Sequence, residues 1–155
     1  MTPAIKLALK QKIPFQIHQY LHDKCTESYG LEAASKIGAN PKQVFKTLVV
    51  SLDAGQLVVA ILPVMKRLNL KLVAKVFGAK KAAMAESSEV LRSTGYILGG
   101  VSPLAQKKKL KTVVDDSALD FATIYVSAGK RGLEIELKSS DLIALLSAAC
   151  AAIHC

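Results

Sequence analysis

The sequence predicts an α+β fold with a mixed or barrel-like sheet, on three observations. Short β-rich runs cluster in the middle of the chain, most clearly at residues 45–52 and 56–62, which the turn Asp53-Ala54-Gly55 joins into a hairpin. Helical segments interrupt the strands irregularly, which argues against a doubly wound α/β fold. With 155 residues, 51% of them hydrophobic, the chain has the size of one domain and can bury a core. We therefore expect residues 1–155 to form a single domain.

Turn and cap residues place the other elements. Thr2 and Pro3 begin a helix that extends to about Lys12, because Thr can cap the first turn and Pro needs no hydrogen-bond donor there. Asn69 is expected to cap the helix that begins at residue 70, and Ser140 is expected to cap a last helix. The predicted helices after the first are residues 31–37, 70–77, 87–93 and 141 to about 152. The further predicted strands are residues 15–21, 82–85, 111–114, 122–127 and 133–137.

Positive charge is concentrated in one part of the chain. The net charge is +9, and residues 54–114 hold eleven basic and only two acidic residues, so the rest of the chain is balanced. This pattern favours a face that binds a polyanion, although lysines on solvated helix surfaces would give the same count. Aromatic residues make up only 5% of the chain, so contact with phosphates is expected rather than stacking of bases.

Several kinds of site are not expected. No nucleotide-binding or hydrolase signature occurs, and we predict neither a metal nor another cofactor. His18, His22 and Cys25 have spacing that zinc can use on a helix, but they lie in a strand and loop, which favours a structural role. Cys150 is expected in the core of the last helix. The odd cysteine count and the lack of a signal peptide or membrane span predict a reduced, cytoplasmic protein.

Two segments that match none of these nucleotide-binding, hydrolase or metal-site signatures suggest a binding site. Lys46 opens an apolar strand, where its ammonium could hold an anion or polarise a carbonyl, or could only guard a strand edge. Gly99 and Gly100 follow a strand-like run, where they either let backbone N–H groups approach a ligand or form a tight bend. The basic runs 106–111 and 129–132 either contact phosphate or lie on a solvated rim.

Four strings, in order along the chain, carry a resemblance to a known family. They are MTPA at the start, VFKTLVV around Lys46, STGYILGGVSPLAQKKKLKT from Ser93 and FATIYVSAGKRGLEIEL from Phe121. On these strings the chain resembles the YbaK family of prolyl-tRNA-editing domains, and within it the freestanding Cys-tRNA(Pro) deacylases. The resemblance covers the chain from Met1 to about Leu146.

The resemblance implies a fold, a reaction and a set of residues. The fold is a mixed β-barrel of six or seven strands surrounded by helices. The reaction removes cysteine from mischarged Cys-tRNA(Pro), so the implied partners are tRNA(Pro) and prolyl-tRNA synthetase. The implied catalytic residues are Lys46, Tyr20, Gly99 and Ser127. The implied substrate-binding residues are Thr47, Gly100 and Glu134. The tRNA-binding residues expected from the basic runs are Lys107, Lys108, Lys109, Lys130 and Arg131.

Three positions depart from the pattern of the family. Glu134 stands where the family commonly has Asp, which leaves the role of this carboxyl open. Ala105 and Ala128 stand where glycine is usual, and we expect these alanines to narrow the pocket or to restrict a loop. The tail AACAAIHC matches none of the family's strings.

The chain shows no pairing of a nucleophile with a base, which fits the mechanism that the resemblance implies. In that mechanism the substrate's own thiol attacks its ester, and the protein supplies proximity and oriented dipoles. Two alternatives stay open. One is a deacylase of the same fold that uses water and acts on another small aminoacyl group. The other is a non-catalytic module that binds tRNA or the synthetase.

Overall fold

The computed structural model describes residues 1–26 and 28–155, and it confirms the α+β class with a mixed sheet. The α-helices are α1 (Pro3–Lys10), α2 (Tyr29–Ile37), α3 (Leu70–Val76), α4 (Ser87–Thr94) and α5 (Ser139–Leu146). The strands are β1 (Phe15–Gln19), β2 (Phe45–Leu52), β3 (Gln56–Pro63), β4 (Ala82–Met84), β5 (Lys111–Asp115), β6 (Thr123–Lys130), β7 (Leu133–Lys138) and β8 (Ala149–Ala151). Within the described residues, no helix is long and apolar enough to cross a membrane.

The larger sheet is built on the predicted hairpin. Strands β2 and β3 pair along their whole length, from Phe45 opposite Pro63 to Leu52 opposite Gln56. The strand order is β4-β2-β3-β5-β8, with β5 parallel to β3 and β8 parallel to β5. Residues 58–62 of β3 are at most 1% exposed, because this central strand is covered on both faces. That explains its continuous apolar run.

The smaller sheet has the order β1-β7-β6 and packs against the larger one. The principal core contains Phe45 and Ile61 from the larger sheet together with Ile124 and Ile135 from the smaller one. An isolated bridge between Val44, the residue before β2, and Tyr125 of β6 also links the two sheets. The apolar interior therefore lies between the two sheets and fixes β2 next to β6.

The cap residues act as predicted at two helices. The Thr2 side chain accepts a hydrogen bond from the Ile5 amide at 3.3 Å, and the Asn69 side chain accepts one from the Leu72 amide at 3.2 Å. Gly38 ends α2 in the left-handed conformation, with φ of 70°. These contacts satisfy backbone groups that a helix end leaves unpaired.

The prediction for the C-terminal segment was wrong. Helix α5 begins at Ser139, so Ser140 lies inside its first turn, and it ends at Leu146 with Ser147 in the left-handed conformation. Residues 149–151 instead form β8, and Cys150 is exposed on this strand rather than buried in a helix.

A buried carboxylate explains why the tail leaves the helix. Asp115 at the end of β5 accepts hydrogen bonds from the Ile153 amide and from His154 Nδ1, each at 2.9 Å. Ile153 is itself fully buried. A helix continued to residue 152 would break both hydrogen bonds, so the tail is held along the sheet.

Candidate functional site

A cleft with a volume of about 250 Å³ lies where the two sheets meet the loop after α4. Five residues named from the sequence line it, namely Lys46, Thr47, Gly99, Ser127 and Glu134. They come from β2, the loop after α4, β6 and β7, which are far apart along the chain. The packing of the two sheets therefore assembles the site.

Lys46 supplies the positive charge in the cleft. It lies on β2, and its Nζ is 3.5 Å from the carbonyl oxygen of Val64. Within residues 1–26 and 28–155, no carboxylate oxygen lies within 4.0 Å of that nitrogen. Burial lowers the pKa of Lys46 from its ordinary value. The ammonium therefore keeps donors available for an oxygen atom of a ligand. The predicted role of Lys46 in binding an anion requires such free donors.

Glu134 is a buried carboxyl at the cleft wall. It lies on β7, opposite His18 of β1 on one side and Ser127 of β6 on the other. Only 6% of the residue is exposed, and Oε2 has no hydrogen-bond partner among the described residues. Burial raises the pKa of Glu134 from 4.5 to about 8. This carboxyl is therefore mostly uncharged at neutral pH in the absence of a ligand.

Two hydroxyl groups add to the polar lining. Thr47 is 8% exposed, and its Oγ1 also has no hydrogen-bond partner in the described part of the chain. Ser127 Oγ accepts a hydrogen bond from the Gly129 amide at 3.1 Å. Since that contact uses the oxygen as an acceptor, the Ser127 hydroxyl hydrogen is left for donation to another group.

The two glycines of the GYILGG string have different surroundings. Gly99 lines the cleft with φ of 81°, and a Cβ there would lie 2.8 Å from the Tyr29 ring and from Arg131 Nε. Gly100 does not line the cleft. A Cβ at Gly100 would lie 2.8 Å from Lys130 Cα, so this glycine allows the loop to pack on the β6–β7 turn. The absence of a side chain therefore matters for the cleft at Gly99 and for the packing of the loop at Gly100.

Tyr20 is near the site but does not line it. Its amide donates to the carbonyl oxygen of Gly132 at 3.0 Å, which holds it beside the β6–β7 turn. Burial raises the pKa of Tyr20, and the neighbouring carboxyl of Glu134 adds to this effect. Tyr20 is therefore placed to influence Glu134 rather than to enclose a ligand.

The rim of the cleft was not predicted from the sequence. The Arg131 guanidinium carbon lies 4.4 Å from the centre of the Tyr29 ring, and Arg131 Nε donates to the Leu98 carbonyl oxygen at 3.0 Å. Both Tyr29 and Leu98 line the cleft. The predicted basic turn thus contributes one side chain to the rim, while Lys130 is exposed. No sequence pattern pairs Tyr29 with Arg131, because 102 residues separate them.

The predicted lysine run lies outside the cleft. Lys107, Lys108 and Lys109 are all exposed, in a loop attached to the end of α4 by two backbone hydrogen bonds. Lys108 and Lys109 line a different groove, beside Leu7 of α1 and Leu145 of α5. The structure therefore separates the exposed lysines from the residues that enclose a ligand.

The two alanines that replace glycine do not narrow the cleft, because neither lines it. Ala105 has φ of 58°, a left-handed conformation that glycine adopts at lower cost, so the loop is restricted there. Ala128 is fully buried and packs in the principal core. Of the effects expected, only the restricted loop is found, and it is at Ala105.

The histidines of the H-x3-H-x2-C string pair with carboxylates. His18 Nε2 lies 3.0 Å from Glu136 Oε1, and His22 Nδ1 lies 2.8 Å from Glu32 Oε1. Cys25 is exposed. Among the residues that the structure describes, no group of three possible metal ligands occurs.

Replacing Glu134 by Gln is predicted to stabilise the protein in a pH-dependent way. Because the pKa of Glu134 is higher in the folded than in the unfolded state, the wild type loses stability as pH rises from 4.5 towards 8, where only the unfolded chain ionises this group. The variant avoids that loss. Thermal melting should therefore show the advantage of Glu134→Gln growing over this range to roughly 2–4 kcal/mol.

Glu136→Gln is the matched control on the same strand. Although burial alone would raise the pKa of Glu136, hydrogen bonds from Thr123 and His18 lower it overall. Removing this carboxylate should therefore lower the free energy of unfolding more at pH 8 than at acid pH. Equal melting of wild type and Glu134→Gln at pH 8 would contradict the buried, uncharged state.

Comparison with known proteins identifies the family. The model of the aminoacyl-tRNA editing domain matches residues 27–145. An Enterococcus faecalis protein named "Putative Cys-tRNA(Pro)/Cys-tRNA(Cys) deacylase EbsC" is 34% identical, over 93% of this chain and 87% of its own length. The Escherichia coli "Multifunctional Ser/Thr-tRNA deacylase ProXp-y" is 32% identical, over 72% of this chain and 70% of its own.

Solved structures have the same fold. The hypothetical protein APE2540 superposes with a TM-score of 0.88 at 25% identity, over 99% of both chains. A "putative trans-editing enzyme for prolyl tRNA synthetase" superposes with a TM-score of 0.85 at 23% identity, over 99% of this chain and 98% of that one. With the family model matching most of the chain, these findings show that the protein belongs to the YbaK family of aminoacyl-tRNA editing domains, a family of deacylases.

Proposed function

We propose that this deacylase removes cysteine from mischarged Cys-tRNA(Pro) after the synthetase has released it. The observation that supports this most directly is the small polar cleft that Lys46 shares with Ser127 and Glu134. Its volume of about 250 Å³ is below the roughly 300–1,000 Å³ of pockets that enclose drug-sized ligands. A cleft of this size suits an aminoacyl group, with the rest of the tRNA outside.

The need for such an enzyme follows from the limits of selection by size. A synthetase pocket gains only about 1–3 kcal/mol of discrimination from one methylene group. A second, hydrolytic site then removes the wrong product. The Enterococcus relative carries cysteinyl-tRNA in its name, and its alignment spans 93% of this chain. This is the support for cysteine as the amino acid.

In the proposed reaction the substrate provides the nucleophile. The cysteine sulfur forms a bond to its own ester carbonyl carbon, the bond from that carbon to the ribose oxygen breaks, and the thiol proton passes to the ribose oxygen. The products are a thiolactone and free tRNA. The protein's role is to hold the thiol near the carbonyl, which is where most of the rate gain would arise.

Residues of the cleft have defined tasks in this scheme. Lys46 donates to the developing oxyanion or to the terminal ribose, and Ser127 has a hydroxyl hydrogen to donate. Gly99 brings the backbone of its loop close to the substrate, and Thr47 and Glu134 bind its polar groups. Tyr20 supports Glu134 from beside the cleft, and Gly100 supports the loop.

Purified protein incubated with Cys-, Ser- and Ala-tRNA(Pro) tests the proposal, with loss of the aminoacyl group as the measurement. Cysteine should be released fastest, and alanine should remain because it lacks a thiol.

One other outcome, faster release of serine, is supported by a specific observation. The unpartnered oxygens of Thr47 and Glu134 would also suit a hydroxyl group, and the Escherichia coli relative is named for Ser- and Thr-tRNA. Faster release of serine than of cysteine would favour that alternative, with water as the nucleophile.

The proposed partners are tRNA(Pro) and prolyl-tRNA synthetase, which would place the enzyme in the cytoplasm with the translation machinery. The exposed lysines 107–109, with Lys130, provide positive charge outside the cleft. Since phosphate contacts position an RNA without reading its sequence, selection of tRNA(Pro) would then depend on the synthetase that releases it.

Lys46→Ala is predicted to reduce deacylation by ~10²–10³-fold, because one preorganised donor to the oxyanion is typically worth that much. The melting temperature should change little, since the Lys46 ammonium makes one long hydrogen bond, with Val64, within the part of the chain that the structure describes. Lys42→Ala, an exposed lysine on the turn before β2, is the control and should retain full activity. A folded Lys46→Ala protein with wild-type turnover would remove Lys46 from the mechanism.

Charge reversal at Lys107, Lys108 and Lys109 is predicted to weaken binding to tRNA without changing amino-acid preference. The logarithm of the tRNA association constant falls linearly with the logarithm of the salt concentration, and each lost lysine–phosphate interaction should reduce the magnitude of this slope by about 1. The triple variant should therefore show a slope whose magnitude is smaller by about 3. Filter binding across a salt titration measures this. The control reverses Lys6, Lys10 and Lys12, which are outside the basic segment. A changed preference between Cys- and Ser-tRNA would show that the cleft and the basic loop are not separate.

A further inference from the structure

Two residues that line the cleft each contain a buried oxygen atom without any hydrogen-bond partner in residues 1–26 and 28–155. The two atoms are Glu134 Oε2 and Thr47 Oγ1, and their residues are 6% and 8% exposed. Folded proteins contain few such atoms, because burying a polar group without a partner costs free energy. Both residues line one cleft, so a ligand that occupies it would supply the missing hydrogen bonds.

The charged and titratable groups around Glu134 leave its carboxyl unneutralised. On β1, His18 is opposite in register, but its Nε2 is bound to Glu136, and the phenol of the nearby Tyr20 brings no positive charge. On β6, Ser127 is the neighbour, but its hydroxyl forms no hydrogen bond with Glu134 Oε2. From β2, Lys46 enters the same cleft but forms no ion pair with Glu134.

A cationic ligand group with several donors would complement this arrangement. Under the proposed function, the substrate is an aminoacyl ester, whose α-amino group is one carbon from the reacting carbonyl. An ammonium group has three donors, and its hydrogen bonds to a carboxylate are about twice as strong as those between neutral groups. Two unpartnered oxygens, one of which belongs to a carboxyl group, thus match the α-ammonium group better than a thiol, which is a weak donor.

We propose that Glu134 and Thr47 form the subsite for the free α-ammonium group of the substrate, so that the enzyme accepts aminoacyl-tRNA and rejects tRNA carrying an N-blocked or peptidyl group. This inference rests on the proposed function and adds the basis on which the substrate's amino end is selected. When an ammonium group binds, Glu134 gives up its proton to solvent and forms an ion pair. When the amine enters uncharged, the same proton passes from the carboxyl to the amine.

Blocking the amino group would remove this match. An acylated nitrogen is uncharged, retains one donor and carries extra volume into a cleft of about 250 Å³. The Glu134 carboxyl would then stay buried without its partner. Sites built to bind an N–H group reject analogues that lack it by up to about 10⁴–10⁵-fold, so rejection of at least about 10²-fold is expected here.

The test compares Cys-tRNA(Pro) with N-acetyl-Cys-tRNA(Pro), measuring kcat/KM for deacylation. N-acetylation leaves the thiol and the ester unchanged, so the proposed chemistry is still possible on both substrates. The wild type should prefer the free amine by at least about 10²-fold. Glu134→Gln should reduce this preference to within about threefold of unity, and Glu134→Asp, which restores a carboxyl, should retain most of it. Equal rates on the two substrates with wild type, or an unchanged preference in Glu134→Gln, would overturn the proposal.

A binding measurement keeps the subsite testable independently of turnover. The probes are 3′-deoxy-3′-(cysteinylamido)adenosine, which cannot be deacylated, and its N-acetyl derivative. Calorimetry should show tighter binding of the free amine to the wild type, and loss of that difference in Glu134→Gln. If Cys-tRNA is not deacylated but this difference is found, the proposed substrate is wrong and the subsite is right. Equal binding of the two probes to the wild type would overturn the subsite itself.

Discussion

The packing of the three-stranded sheet against the five-stranded sheet is the interaction on which the rest of the structure depends. Phe45 and Ile61 on one side meet Ile124 and Ile135 on the other, and all four are at most 2% exposed. Burial of such side chains contributes roughly 1.5–3 kcal/mol each. The same packing sets β2 beside β6, so the cleft exists because the core does.

The cleft concentrates polar groups at a point where the surrounding packing is apolar. Glu134 lies on the central strand of the smaller sheet, on the face opposite to the core residues Leu133 and Ile135, yet it is only 6% exposed, so its carboxyl is removed from water. A group in this position destabilises the fold unless something pairs with it. Stability and ligand binding are therefore opposed at Glu134, and this opposition is typical of a functional site.

The distribution of charge distinguishes the cleft from an exposed basic loop. Among residues 1–26 and 28–155, one lysine and one carboxyl line the cleft, while the exposed loop 107–109 presents three consecutive lysines to solvent. Long-range attraction of a polyanion depends on the exposed charges and is screened by salt. Short-range selection depends on buried groups, which salt screens much less. Arg131, which contacts both Tyr29 and Leu98, adds a positive charge at the rim of the cleft.

Local sequence signals determined the hairpin of β2 and β3, the caps at Thr2 and Asn69 and the position of Lys46 at the start of a buried strand, because each depends on residues close together in the chain. Tertiary structure decided the rest. It turned residues 149–151 into a strand, because buried Asp115 binds the Ile153 amide and His154 across 38 and 39 positions. It also paired Tyr29 with Arg131 and left the Glu134 carboxyl uncharged. Stacking and desolvation depend on which distant segments pack together, and a local sequence pattern does not contain that information.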